Sequence, residues 1–439
     1  MRKRKNAYEL SRSQVDTPED VVSLFWQVAH KYRHRFSSVL DLGAGDGRFA
    51  LGGGRFGEYV GVEIDKRRKQ KTNLPPEASI TYGCAFRHGE TGYAACIGNP
   101  PYVRHHDLDP SWRDRIANSI STATGQTVNR KCNLYIYFLF LALLRSRSQG
   151  LVATIVPYEW VSRPAALPLR NYIQSNGWQV DTYRFSEPIF SSVETTAAIS
   201  IIDKRNRSGK WNFFSISRQG VIAELPKVTG SKQGLIAYAD RGDIWAQRGM
   251  SPGTQKVFTL SNGERIHAGL TMRDVYPCVT TLRDVPKELT NLTRPAFQSR
   301  FVEAGAKCWL IRSDRDRMSD RLSDYLDAVP KQLRSTSTCT NRTPWHRYPL
   351  FDQPDMLVSS GFIGRAPKAL INSIGAHAVG AVHGVYDVPS GAGRELQNYI
   401  ASSDFSSRVV AHSGNLRKLE IRQLNSILNT FSQKRRAAR

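Results

Sequence analysis

The chain of 439 residues is 40% hydrophobic and 23% charged, a balance that excludes disorder as the starting expectation and leaves room for two domains with cores of their own. Its 62 lysines and arginines against 38 acids give a formal net charge of +24, more than solubility needs and the signature of a polyanionic partner, nucleic acid first among them. The basic tails Arg2-Lys3-Arg4-Lys5 and Lys434-Arg435-Arg436 contribute, but the excess runs through both halves. Six cysteines (Cys84, Cys96, Cys132, Cys278, Cys308, Cys339) form no Cys-x-x-Cys pair and meet no matching histidine spacing, so neither a disulfide framework nor a metal site is expected and a reducing, cytoplasmic setting fits. No apolar core follows the basic amino terminus, which argues against a secretory signal. The longest apolar run, Leu134 to Leu144, is well short of the roughly 20 residues that span a bilayer and predicts a buried helix.

In chain order, Thr17-Pro18-Glu19-Asp20 supplies a capping residue, a proline for the first helical position and two first-turn acids ahead of the apolar spacing Val21, Val22, Leu24, Phe25, Val28. A helix is predicted to start there. Ser38 to Leu42 reads as a short buried strand, followed by a glycine-rich exit, a second helix, and a strand over Tyr59 to Ile64. Further strands are predicted over Ala94 to Gly98 and Gly150 to Val156, with the Leu134 to Arg145 helix between them. Alternating strands and helices predict an α/β fold with a mainly parallel sheet. The charged, turn-rich Asp203 to Lys210 is taken as a linker, giving domains 1–205 and 211–439. Beyond it, short β-like runs predict a mixed α+β domain, with no long amphipathic helix before Asn415 to Lys434.

Asp41-Leu42-Gly43-Ala44-Gly45-Asp46-Gly47 ends one predicted strand and opens a helix, the place where doubly wound sheets bind nucleotides. Glu63, ending the next strand, stands where an acid accepts both hydroxyls of an adenosine ribose. The spacing Gly-x-Gly-x-Gly departs from the Gly-x-Gly-x-x-Gly of pyrophosphate sites, so adenosine without phosphates fits better. Downstream, Asn99-Pro100-Pro101-Tyr102 predicts a stiff extended loop at a strand end, because consecutive prolines neither continue a helix nor donate to a ladder. The Asn99 side-chain oxygen and the Pro100 carbonyl are two acceptors for one planar amino group. Drawing on both N–H groups localises the nitrogen lone pair and directs it at an electrophile.

On these motifs the chain resembles the gamma-class N6-adenine DNA methyltransferases of restriction-modification systems, over roughly residues 14 to 205. The resemblance implies a Rossmann-like class I methyltransferase domain followed by a target-recognition domain, and S-adenosyl-L-methionine as cofactor. It implies cofactor contacts at Thr17, Asp41, Gly43, Gly45, Glu63 and Cys84, catalysis by Asn99, Pro100, Pro101 and Tyr102, and stacking of a flipped adenine on Tyr102 and Phe190. One departure stands out. Where the family carries an Asp that binds the cofactor adenine, this chain has Gly83-Cys84-Ala85-Phe86. A thiol is a poor acceptor, which leaves backbone atoms or Asp107 for that task, or a weaker hold on the cofactor.

The resemblance continues more weakly at Glu264 to Thr271, Pro344 to Pro349, and Gly375-Ala376-His377 through His383 to Tyr386. Trp345, His346 and His383 are read there as packed structure rather than base readers, and His105-His106 as a DNA backbone contact rather than a metal site. The implied substrate is double-stranded DNA, met by a monomer in the cytoplasm of a bacterium or archaeon, with no membrane contact. The short stretch ahead of the methyltransferase domain leaves no room for a nuclease, so a separate cognate restriction endonuclease is expected. Methylation of RNA or of a protein glutamine, and DNA binding without catalysis, are the alternatives.

Overall fold

Val39 and Leu40 are neighbours on the first strand, so their side chains leave opposite faces, yet both are fully buried. A strand covered on both sides belongs in a layered α/β sheet, and the computed structural model, which describes residues 16–68, 73–190, 196–225, 239–405, 409, 411–413 and 416–438, has that architecture. Strands β1 (Phe36–Leu42), β2 (Phe56–Glu63), β3 (Ala78–Tyr82), β4 (Tyr93–Gly98), β5 (Ser146–Pro157), β6 (Gln179–Phe185), β7 (Ala197–Asp203), β8 (Trp211–Ile216) and β9 (Ile222–Glu224) form one sheet in the order β3-β2-β1-β4-β5-β7-β6-β8-β9. The pairs β3/β2, β2/β1, β1/β4, β4/β5 and β6/β8 are parallel, and β7 runs antiparallel between β5 and β6.

Helices α1 (Glu19–His30), α2 (Arg48–Leu51), α3 (Pro110–Thr124), α4 (Leu134–Arg145) and α5 (Leu167–Ser175) complete the layers. Leu40, Leu42, Cys96 and Val152 pack with α3, α4 and α5 on one face. Val39, Ala95, Ile97 and Leu151 pack with α1 on the other. Helix α4 buries nine consecutive residues, Tyr135 to Leu143, the pattern of a helix enclosed all round.

Two local expectations are corrected. Pro18, not Thr17, is the N-cap of α1: its carbonyl accepts the first helical bond from the Val22 N–H at 3.0 Å, and it has the extended ψ of 145°. Helix α2 is a single turn: Gly52, Gly53 and Gly54 follow at once, and Gly52 and Gly54 lie so close to Val22 and Trp26 of α1 that a β-carbon at either would clash.

The expected domain boundary also moves. Asp203 to Lys210 joins β7 to β8 within one sheet, held by Gly209 N–H to the Gly177 carbonyl at 2.8 Å and Gln179 N–H to the Asn206 carbonyl at 2.9 Å. The charged loop has a linker's composition but connects two strands that both pair with β6. The chain divides instead into one unit of Met1–Leu235 with Val410–Asn415 and another of Ile236–Val409 with Leu416–Arg439.

The second unit is mixed α+β. One four-stranded sheet runs Trp245–Arg248, Val382–Tyr386, Met356–Ser359, Ala369–Ile371, and another Thr259–Leu260, Trp309–Ile311, Val275–Val279, His377–Ala378. Its amphipathic helices include Gly393–Ser402 and Ile421–Ala437. Among the described residues no helix is long and apolar enough to cross a membrane.

Candidate active site

The chain leaves β1 to build β2 and β3 on one side and then returns to place β4 on the other, so a crevice opens at the carboxyl ends of β1 and β4, where open α/β sheets bind ligands. Strand β1 delivers Asp41 and the glycine turn to this edge, β2 delivers Glu63, and β4 delivers Asn99.

The N–H groups of Gly43 and Ala44 both donate to the Val62 carbonyl, at 2.9 and 3.1 Å, which fastens the turn to the end of β2. Gly43 and Gly45 have φ of +92° and +61°, values that side-chain-bearing residues rarely adopt. Gly45 N–H donates to Glu63 Oε2 and Asp65 N–H to Glu63 Oε1, each at 2.8 Å. Glu63 is buried, and each of its oxygens keeps a further acceptor site beyond these backbone bonds. A carboxylate fixed in this way suits a ribose diol.

Asp41 is fully buried beneath the loop that follows β4. Tyr59 donates a hydroxyl hydrogen bond to its Oδ2, while Oδ1 is unpartnered. Burial pushes the Asp41 carboxyl up to about 7 against the opposing effect of the Tyr59 bond. A β-carbon at Gly98 would lie 2.7 Å from Asp41 Oδ1 and 3.1 Å from the Leu42 carbonyl oxygen, and the φ there is +139°. Only glycine lets the chain turn over Asp41 into Asn99. The expectation that Asp41 contacts the cofactor therefore meets a residue enclosed in the sheet, placed to support both adjoining loops.

Asn99 Nδ2 donates to Thr17 Oγ1 at 3.0 Å, whereas its Oδ1 is buried without a partner. Thr17 sits one residue ahead of the N-cap with its side chain spent on this bond, and Arg48 donates to its carbonyl. The anchored donor face leaves the acceptor face of the Asn99 amide unengaged. Pro101 Cδ would be 4.0 Å from a β-carbon at Gly43, so the glycine turn and the Asn-Pro-Pro-Tyr loop lie side by side. The structure thus brings Thr17, Gly43, Gly45, Glu63, Asn99, Pro100 and Pro101 to one edge.

Tyr102 and Phe190 also come together, but as a T-shaped pair with centroids 6.2 Å apart and planes at 79°. Tyr102 is edge-on to Tyr135 as well and donates its hydroxyl to the Ile155 carbonyl at 3.1 Å; burial raises its phenol far above the ordinary range. Phe190 is 5% exposed. The two rings are not parallel faces with a slot between them.

Cys84 is a half-buried free thiol just past β3, where Gly83 N–H donates to the Glu63 carbonyl at 2.8 Å. It therefore flanks the ribose acid. Asp107 lies on the exposed turn His105–Asp107, 3.6 Å from His106. Among the described residues no group of three His, Cys, Asp or Glu is placed to hold a metal. Trp345 and His346 are half-buried and His383 is buried, its Nε2 paired with the Leu419 carbonyl at 2.9 Å.

Sequence reasoning missed Tyr59, Arg48 and Ile64. Tyr59 and Asp41 sit on paired strands two residues out of register, a relation visible only once β1 and β2 are aligned. Ile64 is 42% exposed beside Glu63, an apolar surface at the mouth of the crevice.

Each unit matches a family description. The Eco57I restriction-modification methylase model covers residues 59–190, which include Glu63, the Asn99 to Tyr102 loop and Phe190. The model for the C-terminal domain of type II methyltransferase M.Eco57I covers residues 231–405. Type II methyltransferase M.XamI of Xanthomonas campestris pv. amaranthicola is 22% identical, over 94% of this chain and 84% of that protein. M.AccI of Acinetobacter calcoaceticus is 19% identical over 58% of this chain, which spans about half (52%) of its length. Among solved structures, a nuclease-deletion mutant of the type ISP restriction-modification enzyme LlaGI aligns with 95% of this chain and 46% of its own at 12% identity and a TM-score of 0.48. With one match on each unit and type II methyltransferases among its relatives, the chain reads as a restriction-modification DNA methyltransferase.

Proposed function

We propose that this protein is a site-specific DNA methyltransferase that moves a methyl group from S-adenosyl-L-methionine to N6 of an adenine flipped out of duplex DNA. The observation that carries the reading is the Asn99 amide, tethered by Thr17 through its nitrogen and buried with an unengaged oxygen at the edge of the glycine turn. An unpartnered buried acceptor costs about 1–3 kcal/mol, so its retention here points to a ligand N–H. The relatives' type II methyltransferase names and the net charge of +24 support DNA as the substrate.

The residues fit the cofactor. Glu63 offers two ordered acceptors for a ribose, Gly43 and Gly45 admit close approach of the backbone, and Ile64 and Cys84 flank the site where an adenine ring would lie. When bound, S-adenosyl-L-methionine supplies an electrophilic methyl group. Asn99 Oδ1 and the Pro100 carbonyl accept the two N–H bonds of the target amine, which withdraws its lone pair from the ring and orients it. No side chain serves as a strong base before attack, and the proton lost afterwards passes to water. Tyr102 and Phe190 supply aromatic surface for the displaced base once their edge-to-face contact opens. Flipping the base costs on the order of a few kcal/mol.

Labelled cofactor, unmethylated plasmid and nucleoside analysis test the assignment: label is expected on N6-methyladenine, and label on cytosine, on RNA alone or nowhere would overturn it. Asn99→Ala is expected to lower turnover by two orders of magnitude or more while DNA binding persists; unchanged turnover rejects the role given to the amide. The same reading proposes a monomer that works beside a separate cognate endonuclease, to be checked by sedimentation and by protection of methylated DNA from that nuclease.

A further inference from the structure

In the second unit, the three stretches that drew attention in the sequence converge on a segment that did not, Arg312 to Arg317. Arg312 N–H donates to the Asp274 carbonyl at 2.8 Å and its guanidinium to the Arg273 carbonyl at 3.0 Å, just after Glu264 to Thr271. Ser313 Oγ donates to the His346 carbonyl at 2.9 Å, and Tyr348 donates to the Ile311 carbonyl at 2.6 Å. His377 meets the edge of Tyr276, with centroids 5.1 Å apart.

Tyr276 is the centre of this arrangement. The Arg312 guanidinium lies 4.0 Å from its ring centroid, Asp314 Oδ2 is 3.4 Å from its hydroxyl, and Arg315 Nε donates to the same hydroxyl at 3.2 Å. Two polar atoms here, Arg312 Nε and Asp314 Oδ1, are buried without a partner. A buried polar atom without a partner calls for an explanation, and a ligand is one. Arg315 itself is exposed. Its Nε is held, so its two terminal nitrogens form an oriented fork, and among the described residues neither it nor Arg317 has a carboxylate partner: Asp316 is taken by Arg347 at 2.7 Å.

We propose that Arg315, presented by Tyr276 and the Arg312 to Asp314 turn, reads a guanine edge in the major groove, so that the recognition sequence of this enzyme contains a G·C pair read at this point. The inference rests on the DNA-methyltransferase reading above. A guanidinium fork matches O6 and N7 of guanine, the commonest specific contact in the major groove. A lysine-like point charge would serve a phosphate equally well, but an arginine fixed at Nε has its remaining donors confined to one plane. Arg317, equally exposed and without that support, suits a phosphate contact.

Sequencing that detects modified bases, on plasmid methylated by the purified protein and by Arg315→Ala, Arg315→Gln and Arg317→Ala, tests this. Both Arg315 variants should lose roughly ten- to a hundredfold discrimination at one G·C position while the remaining motif is kept, and Arg317→Ala should leave the motif intact. An unchanged motif in the Arg315 variants, with uniformly weaker binding and a smaller salt slope, would show a phosphate contact and overturn the inference alone. No methylation of DNA by the unaltered protein would overturn the functional reading and this inference together. Thermal melting of the exposed Arg315 variants separates lost reading from lost folding.

Discussion

Asp41 has two demands on it that pull its proton in opposite directions. The Tyr59 hydroxyl favours the carboxylate, but complete burial favours the acid more strongly and holds the folded-state pKa at about 7, above the ordinary 3.8. A carboxyl with a raised folded-state pKa contributes stability that is fully present below its unfolded value and is lost as pH climbs through about 4 to 7. Asp41→Asn removes this titration. The melting temperature of the variant relative to the parent is therefore expected to rise between pH 5 and pH 8, by an amount corresponding to roughly 2–4 kcal/mol, and a pH-independent difference would refute the assignment. Residues whose placement follows from chain-local pattern, such as Asn99 and Glu63, are evident from the sequence because their neighbours fix a turn or a strand end. Asp41's enclosure depends on Tyr59 and Gly98, which reach it from two other strands. No local pattern encodes that.

Among the elements, α4 and β5 illustrate what apolar runs specify and where they stop. Leu134–Arg145 matches its sequence expectation from end to end, because twelve residues without a turn signal leave only a buried helix. Strand β5 begins at Ser146, four residues earlier than its apolar core, and its pairing with β4 shifts register between Tyr93 and Ala95. The irregular junction is held by Lys204, whose ammonium donates to the carbonyls of Leu143 and Ser146 at 3.0 and 2.8 Å and to Ser146 Oγ at 3.2 Å. It closes the carboxyl end of α4, where orphan carbonyls and the helix dipole favour a cation. Burial pushes Lys204 down to about 8, which still leaves it charged at pH 7. Lys204→Met, which keeps the stem, should cost about 1.5–3 kcal/mol in urea unfolding at pH 7; a loss under 0.5 kcal/mol would mean that the cap contributes little. The same residue lies in Asp203 to Lys210, whose charge resembled a linker. A lysine directed inward at carbonyls has the same letter as one in solvent, and the misplaced boundary follows from that. The single turn of α2 and the edge-to-face meeting of Tyr102 with Phe190 are equally products of packing, settled by neighbours distant in sequence.

For the whole molecule, the net charge of +24 is the excess left once every acid has been counted. In the carboxy-terminal helix Lys434 lies 5.3 Å from the Tyr399 ring centroid, Arg435 pairs with Glu395 at 3.2 Å, and Arg436 pairs with Asp243. The helix makes contacts within its own unit, and exposed cations that no carboxylate pairs among the described residues, such as Arg315 and Arg317, add to the charge a polyanion can meet. Binding to duplex DNA without a recognition site should weaken steeply with salt, by about three to five orders of magnitude between 50 and 200 mM if six to ten phosphates are neutralised. Asn99→Ala should follow the same line in a fluorescence-anisotropy titration, since an uncharged amide releases no counterions. A flat salt response would remove the electrostatic basis for DNA as the partner.

The closeness of Gly43 to Pro101, and of Gly98 to Asp41, has a consequence for how such an enzyme diversifies. With the Asn99 to Tyr102 loop beside the glycine turn, an insertion in either should displace the other, so this corner can change little without disturbing the proposed site. Arg315 belongs to the second unit, where the Tyr276 hydroxyl supports it. If Arg315 reads a base as proposed, exchanges at that exposed position should change the target site and leave the chemistry unaltered, so the addresses at which the enzyme acts can be rewritten without touching the reaction.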